Sequence, residues 1–185
     1  MKKIAIGISG SSGSIYAQLL LQALANAKEY LADCAVTISK NGRENWYLEM
    51  ENEFDAHGFR FFDIQDYNAP FASGSAGYDA MVICPCSAGT LGRIANGISD
   101  NLITRGADVM LKERKKLILL LRESPLNLIQ IENMAAVHKA GGILLPASPS
   151  FYSKPKTVES LCMTMVDRIM DLLEIPNDAY RWGSA

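Results

Sequence analysis

Three basic side chains and a carboxyl group occur close together within residues 105–123. They are Arg105, Lys112, Arg122 and Glu123. Basic groups stabilise a phosphate or a developing negative charge, and a neighbouring carboxyl group can exchange a proton with it. The segment therefore predicts an anion site with an acid beside it. The alternative is that Arg105 and Lys112, which share one helical face, form only a solvated surface.

A second candidate anion site is the glycine- and serine-rich segment GISGSSG at residues 7–13. It follows a strand-like apolar run and precedes a helical pattern, and unpaired backbone N–H groups at such a helix start bind anions. The spacing differs from the dinucleotide G-x-G-x-x-G motif, and no acidic residue ends the next strand to hold a ribose. FMN therefore fits this loop better than NAD, with an ordinary strand–helix turn as the alternative.

Other polar side chains also follow predicted strands. Ser39 ends the second strand, residues 87–90 follow a central strand, and Tyr152 lies in a late Pro/Ser-rich loop. Glu49 stands by itself on the helix predicted after Ser39, where a carboxylate is usually a solvated surface group. In an open α/β sheet, ligands bind outside the carboxyl ends of the strands. We therefore expect the chemistry at these loops.

The elements that position these residues alternate along the chain. Strand-like runs occupy residues 3–9, 34–39, 59–62, 81–83, 117–121 and 143–145, and helical patterns occupy residues 16–24, 41–51, 91–95, 100–114, 126–139 and 159–173. This alternation predicts a single domain over residues 1–185, with one parallel sheet covered by helices on both faces. Residues 175–185 are predicted to form a C-terminal tail.

Composition narrows the classes of function. The chain is 49% hydrophobic and 21% charged with a net charge of -2, which is typical of a soluble globular protein and favours neither nucleic acid nor an anionic membrane as partner. No apolar run approaches the ~18 residues of a membrane span. Four cysteines form neither a disulfide framework nor a zinc pattern, and the two histidines lie in peripheral segments. We therefore expect a cytoplasmic protein without a metal.

Several longer motifs occur in a characteristic order. They are GISGSSG, SGSAG, PCSAGTL, DNLITRGADVMLKER, RESPL, ENM and SFY-x-x-P, with RWG near the end. In these motifs the whole chain resembles the flavin prenyltransferases, the family of bacterial UbiX and its fungal counterparts. The resemblance implies a flavodoxin- or Rossmann-like three-layer α/β sandwich. It also implies a homo-oligomer built from trimers, as a dodecamer.

The resemblance further implies a reaction. In this family a dimethylallyl group passes from dimethylallyl phosphate to N5 and C6 of reduced FMN, and the prenylated FMN is passed on to a UbiD-type decarboxylase. The implied catalytic residues are Ser12, Glu49, Lys112 and Glu123. FMN is expected between subunits, near Gly10, Ser11, Ser12, Ser39, Ser87, Ala88, Gly89, Thr90 and Arg105. The prenyl donor is expected near Tyr67, with its phosphate held by Lys112, Arg122, Tyr152 and Arg168.

Some positions depart from the family pattern. Tyr67 stands where some relatives have tryptophan, Ser11 replaces a common alanine, and Trp46 and Tyr47 make the Glu49 helix bulky. Two other functions remain as alternatives. One is an FMN-dependent cysteine decarboxylase, although Gly89 replaces the substrate-binding asparagine of that group. The other is a non-enzymatic FMN carrier.

Overall fold

The computed structural model describes residues 1–183, so that Ser184 and Ala185 of the predicted tail lie outside the described residues. The strands are β1 (Lys2–Ile8), β2 (Leu31–Ile38), β3 (Arg60–Phe61), β4 (Ala80–Cys86), β5 (Lys116–Leu121) and β6 (Ile143–Pro146). The α-helices are α1 (Ser14–Asn26), α2 (Lys40–Met50), α3 (Ala88–Ala95), α4 (Leu102–Lys112), α5 (Leu128–Lys139) and α6 (Val158–Leu172).

The strands form one parallel sheet with the order β3-β2-β1-β4-β5-β6. From β1 the chain moves outward through β2 and β3, then returns to β4 on the other side of β1 and continues to β6. The strand order therefore reverses between β1 and β4, where ligands of open α/β sheets bind. The predicted flavodoxin- or Rossmann-like three-layer fold is confirmed.

Two hydrophobic layers cover the sheet because its strands are apolar on both faces. On one face Ile4 and Ile6 pack with Leu20 of α1 and Ile169 of α6. On the other face Met81 and Ile83 pack with helices α3 and α4 and with the loop that follows β3. The Phe71 side chain of that loop is fully buried. Strands β1 and β4, between which the strand order reverses, are thus both buried in the core.

Helix starts differ from the sequence prediction where a polar side chain caps the first turn. Helix α3 begins at Ala88 rather than residue 91, because the Ser87 hydroxyl accepts a hydrogen bond from the Thr90 N–H. Helix α5 begins at Leu128 rather than residue 126, because Asn127 forms a capping box with Gln130. Strand β4, which the sequence predicted over residues 81–83, also continues to Cys86.

Within residues 1–183, no helix is both long and apolar enough to cross a membrane. The same residues contain no group of three or more histidine, cysteine, aspartate or glutamate side chains placed to hold a metal ion.

Candidate functional site

A cleft of about 790 Å³ opens at the carboxyl ends of β1 and β4. Ser9 joins these two strand ends, because its hydroxyl donates to the Pro85 carbonyl at 2.9 Å and accepts from the Ser87 N–H at 2.8 Å. We call this cavity the first cleft. Eleven of the predicted site residues line it: Gly10, Ser11, Ser12, Ser39, Glu49, Ser87, Ala88, Gly89, Thr90, Arg122 and Glu123.

The predicted anion cradle at the start of α1 holds a carboxylate of the protein itself. Glu49 Oε2 accepts hydrogen bonds from the backbone N–H of Gly13 at 2.9 Å and of Ser14 at 2.7 Å. Partial burial raises the pKa of Glu49, but hydrogen bonds from the Ser12 hydroxyl and from these backbone amides outweigh it and leave the pKa below its ordinary value. Glu49 is therefore an ionised carboxylate that hydrogen bonds hold in place at the cleft, although the residue remains exposed to solvent.

The loop between β1 and α1 packs against the start of α2. A Cβ atom on Gly10 would come within 2.4 Å of the Asn41 Cβ, so that only glycine permits this approach. The neighbouring Ser11 hydroxyl is buried and has no hydrogen-bond partner among residues 1–183. Ser39 caps α2 by accepting from the Gly42 N–H at 3.0 Å. A polar wall with an unsatisfied hydroxyl and a helix start suits a phosphorylated ligand such as FMN.

The opposite wall of the cleft is the start of α3. The Ser87 hydroxyl donates to Thr90 Oγ1 at 3.0 Å, and both residues line the cleft. One turn further on, Arg93 donates to the Gly89 carbonyl at 3.1 Å and to Asp100 Oδ2 at 3.2 Å. Arg93 and Asp100 also line the cleft. This ion pair was not predicted as part of the site.

Arg122 and Glu123 close a third side of the cleft after β5. Arg122 Nε donates to the Ser12 carbonyl at 3.2 Å, and its backbone N–H donates to the Cys86 carbonyl at 3.0 Å. The Glu123 carboxylate accepts from the Ser124 N–H at 3.1 Å. The predicted acid and one predicted phosphate ligand thus lie beside the loop that contains Ser12.

Two other predicted phosphate ligands line a second cleft of about 860 Å³, next to α6 and the C-terminal tail. The Tyr152 ring meets the Trp182 ring edge-on at 4.9 Å, and Arg168 pairs with Asp171 Oδ2 at 3.0 Å. Asp171 also accepts from Arg181 at 2.7 Å. In this second cleft, away from the first, Trp182 of the C-terminal tail therefore contacts Tyr152. Arg181 of the tail shares Asp171 with Arg168.

Helix α4 carries the remaining predicted cations on a third surface. Arg105 donates to the Ala72 carbonyl at 3.0 Å and pairs with Asp108 at 3.0 Å, and Lys112 pairs with Glu113 at 2.5 Å. In the part of the chain that the structure describes, neither lines the first or the second cleft. Tyr67 lies half exposed in the loop after β3 and also lines neither. One copy of the chain therefore divides the predicted site among three surfaces.

Sequence reasoning missed several residues of the first cleft, including Lys40, Asn41, Asn45 and Arg93. Two signals were available. Lys40 and Asn41 directly follow Ser39 at a strand end, and Arg93 lies one helical turn after Gly89. The resemblance placed Glu49 and Ser12 together among the catalytic residues, but no residue pattern predicted the contact of Glu49 with residues 13–14.

Comparison with known proteins places these features in a wider group. The sequence profile of the Flavoprotein family matches residues 1–174. A flavin prenyltransferase UbiX from Methanocaldococcus jannaschii is 40% identical over 183 residues, which cover 98% of this chain and 99% of the relative.

Two solved structures are similar over nearly the full length. AnUbiX, crystallised in complex with FMN and dimethylallyl pyrophosphate, is 34% identical with a TM-score of 0.93, covering 100% of this chain and 98% of its own. A dodecameric FMN-dependent UbiX-like decarboxylase from Escherichia coli O157:H7 is 34% identical with a TM-score of 0.92, covering 98% of this chain and 100% of its own.

The similarity to cysteine decarboxylases is weaker. TvaF, an FMN-dependent cysteine decarboxylase from thioviridamide biosynthesis, is 18% identical with a TM-score of 0.59, covering 90% of this chain and 99% of its own. This relation extends to the fold alone.

Proposed function

This chain belongs to the flavin prenyltransferase UbiX family, and we propose that it joins a dimethylallyl group from dimethylallyl phosphate to N5 and C6 of reduced FMN. The observation that carries the proposal is the first cleft. It brings the Ser12–Glu49 pair, the Ser87 and Thr90 hydroxyls and the Arg122–Glu123 pair around one cavity. Its volume of about 790 Å³ is within the range of small-molecule sites.

The walls of the first cleft suggest how FMN lies in it. Glu49 occupies the amides at the start of α1, and its charge would repel a second anion there. We therefore assign the FMN phosphate to the start of α2, where Ser39, Lys40 and Asn41 meet the Gly10–Ser11 loop. Ser87 and Thr90 then contact the remainder of the flavin. Bound reduced FMN supplies the nucleophilic N5 and C6 positions.

Arg122 and Glu123 act on the prenyl donor in this proposal. The Arg122 guanidinium stabilises charge on the phosphate oxygen as the C–O bond breaks. Glu123, next to it in the chain, protonates the departing phosphate and later accepts the proton released during ring closure. Ser12 and Glu49 form a second proton-exchange pair next to Arg122, where hydrogen bonds keep the carboxylate in position.

A neighbouring copy of the chain completes the site. Lys112 and Arg105 on α4, and Tyr152 and Arg168 beside the tail, lie outside the first cleft of their own chain. We propose that subunits assemble as trimers, and trimers as a dodecamer, so that these side chains reach the first cleft of another subunit. The split of the predicted phosphate ligands over three surfaces supports this arrangement.

We also propose that the prenylated FMN is passed to a UbiD-type decarboxylase and that the protein works in the cytoplasm. The cysteines of the chain support the cytoplasmic location. All four are free and buried, as is typical of proteins in a reducing compartment.

The test is to mix the protein without oxygen with reduced FMN and dimethylallyl phosphate, and to determine the mass of the released flavin. We expect one prenyl unit to be added. Lys112→Ala and Glu123→Gln should abolish the addition, because each removes a group that stabilises or protonates the leaving phosphate. Lys115→Ala and Glu53→Gln are matched controls on the exposed surface and should retain it.

Two results would contradict parts of the proposal. Unchanged flavin that remains bound to the protein would favour an FMN carrier. Addition from dimethylallyl pyrophosphate but not from the monophosphate would overturn the choice of donor while leaving prenyl transfer in place.

A further inference from the structure

Arg93 lines the first cleft but has no role in the function proposed above. It lies on α3, and its Nη1 atom donates to the Gly89 carbonyl at 3.1 Å. Its Nε atom donates to Asp100 Oδ2 at 3.2 Å. Among residues 1–183, the Nη2 atom of this guanidinium has no hydrogen-bond partner. Arg93 therefore has N–H donors left for a ligand of the first cleft.

Asp100 fixes the direction of the Arg93 guanidinium. Asp100 Oδ1 accepts from the Asn101 side-chain amide at 2.9 Å, and Asn101 is itself the N-cap of α4. The ion pair thus joins α3 to the start of α4, and a guanidinium held at two points keeps its remaining N–H groups in a fixed orientation. The Arg93 and Asp100 side chains are 46% and 52% exposed, so that a ligand in the cleft can reach them.

The strand order places this ion pair at the end of the cleft where the FMN ring system would lie. Strand β1 lies between β2 and β4, so the starts of α2 and α3 are two strand spacings, or about 10 Å, apart. FMN carries its phosphate and its ring system at opposite ends of the ribityl chain. With the phosphate assigned to the start of α2, the ring system extends toward α3 and Arg93.

The charges of the cleft leave Arg93 as the cation for that ring system. Among the residues that the structure describes, the cations lining the first cleft are Lys40, Arg93 and Arg122. Lys40 stands beside the assigned FMN phosphate, and Arg122 is assigned to the prenyl donor. The oxidised ring system is neutral, whereas the reduced one becomes negatively charged when it loses a proton at N1. A charged donor binds an ionised acceptor about twice as strongly as a neutral pair binds.

We propose that Arg93 binds the ring system of FMN and favours its reduced, negatively charged form over its oxidised form. The inference rests on the proposed function, which puts FMN in the first cleft, but not on prenyl transfer itself. A positive charge near N1 is one of the ways in which a protein adjusts the electronic properties of a flavin. Arg93 thereby selects the form of FMN that the proposed reaction consumes.

The reduction potential of bound FMN tests this role, because it reports the ratio of the dissociation constants of oxidised and reduced FMN. Arg93→Gln removes the charge and should lower this ratio about tenfold, which lowers the potential of a two-electron couple by about 30 mV. Arg93→Lys keeps the charge without the planar guanidinium and should recover part of the potential. Anaerobic titration against a redox dye measures the potential, and flavin fluorescence measures the affinity for oxidised FMN.

The partner of Arg93 provides a variant with the opposite expected sign. Asp100→Asn removes the negative charge, while its amide oxygen still accepts a hydrogen bond from Arg93. The guanidinium charge is then less compensated, so the potential should rise above that of the wild-type protein. Damage to the cleft by itself would move the potentials of Arg93→Gln and Asp100→Asn in the same direction.

Arg60→Gln is the matched control, because Arg60 also pairs with an aspartate, Asp33 at 2.9 Å, but does not line the first cleft. It should leave the potential unchanged. An unchanged potential in Arg93→Gln, or equal directions for the two cleft variants, would overturn the role of Arg93 while leaving FMN binding and prenyl transfer in place. A wild-type protein that does not bind FMN would overturn the proposed function, and this inference with it.

Discussion

The Glu49 carboxylate accepts a 2.7 Å hydrogen bond from the backbone N–H of Ser14, a residue 35 positions earlier in the chain. This bond fastens α2 to the first turn of α1 and places a negative charge at the positive end of the α1 dipole. The loop that contains Ser12 is held between the two helices. A group predicted as catalytic is therefore also a structural link of the first cleft.

Glu49→Gln should lower the free energy of unfolding by about 1 kcal/mol at pH 7, because a charged acceptor is lost at a helix start. The pKa of folded Glu49 lies below its ordinary value. Its charge therefore adds stability above the unfolded pKa of about 4.3, and this contribution disappears as the pH falls through the folded pKa. Urea unfolding at pH 7 and at acid pH measures the difference.

Glu53→Gln serves as the control for this prediction, because Glu53 is an exposed carboxylate on the loop after α2. It should change stability little at either pH. A Glu49→Gln deficit that stays constant down to acid pH would show that the charge does not carry the effect.

Two variants that are inactive by themselves should recover prenyl-transfer activity when they are assembled into the same oligomer. Glu123→Gln damages the first cleft, whereas Lys112→Ala damages the α4 surface, which the structure places elsewhere on the same chain. In a site shared between copies, random mixing in equal amounts would leave about a quarter of the sites with both groups intact. Flavin mass spectrometry on co-expressed variants measures the recovery. Mixtures as inactive as either variant alone would contradict a shared site.

Gly10→Ala should weaken both the fold and FMN binding. The new methyl group would meet the Asn41 Cβ at 2.4 Å, so the β1–α1 loop must move away from α2. Overpacking of this kind costs about 1–3 kcal/mol. The same movement displaces the loop from the position assigned to the FMN phosphate. We therefore expect FMN affinity to fall about tenfold or more, which corresponds to a loss of at least about 1.4 kcal/mol of binding free energy. Flavin fluorescence titration and urea unfolding measure the two effects.

Gly92→Ala is the matched control, because its methyl group would meet only the Asn133 amide at the ordinary contact distance of 3.4 Å. It replaces glycine inside α3 and should leave stability equal or slightly higher. Gly10→Ala protein that binds FMN as tightly as wild type would contradict the proposed place of the phosphate.

The four cysteines should be inert toward thiol reagents in the folded protein. Burial raises the pKa of Cys34 and of Cys86 to about 12, and it also raises the pKa of Cys84 and of Cys162. Thiolates, which are the reactive form, are therefore rare at pH 8. A colorimetric thiol assay should detect none of the four quickly in native protein and all four in urea. Rapid labelling of a native thiol would contradict this prediction.

The sequence by itself determined the layered fold and most of the first cleft. Buried strands and amphipathic helices produce local patterns of apolar residues, and glycine- and serine-rich turns mark where each strand ends. Because parallel strands point the same way, their terminal loops meet at one edge. Ser12, Ser39, Ser87 and Glu123 could therefore be assigned to a common edge from the sequence.

Only the tertiary structure decided which of these groups meet within one chain. Glu49 reaches the start of α1 because α2 lies beside it. Lys112 is only ten residues from Arg122 in sequence, but it lies outside the first cleft because strand β5 runs between the two residues. Likewise, the exposure of Leu128 and Ile129 depends on which side of α5 packs on α3. Local periodicity gives the faces of an element, but contacts between distant segments are selected by the packing of the whole core.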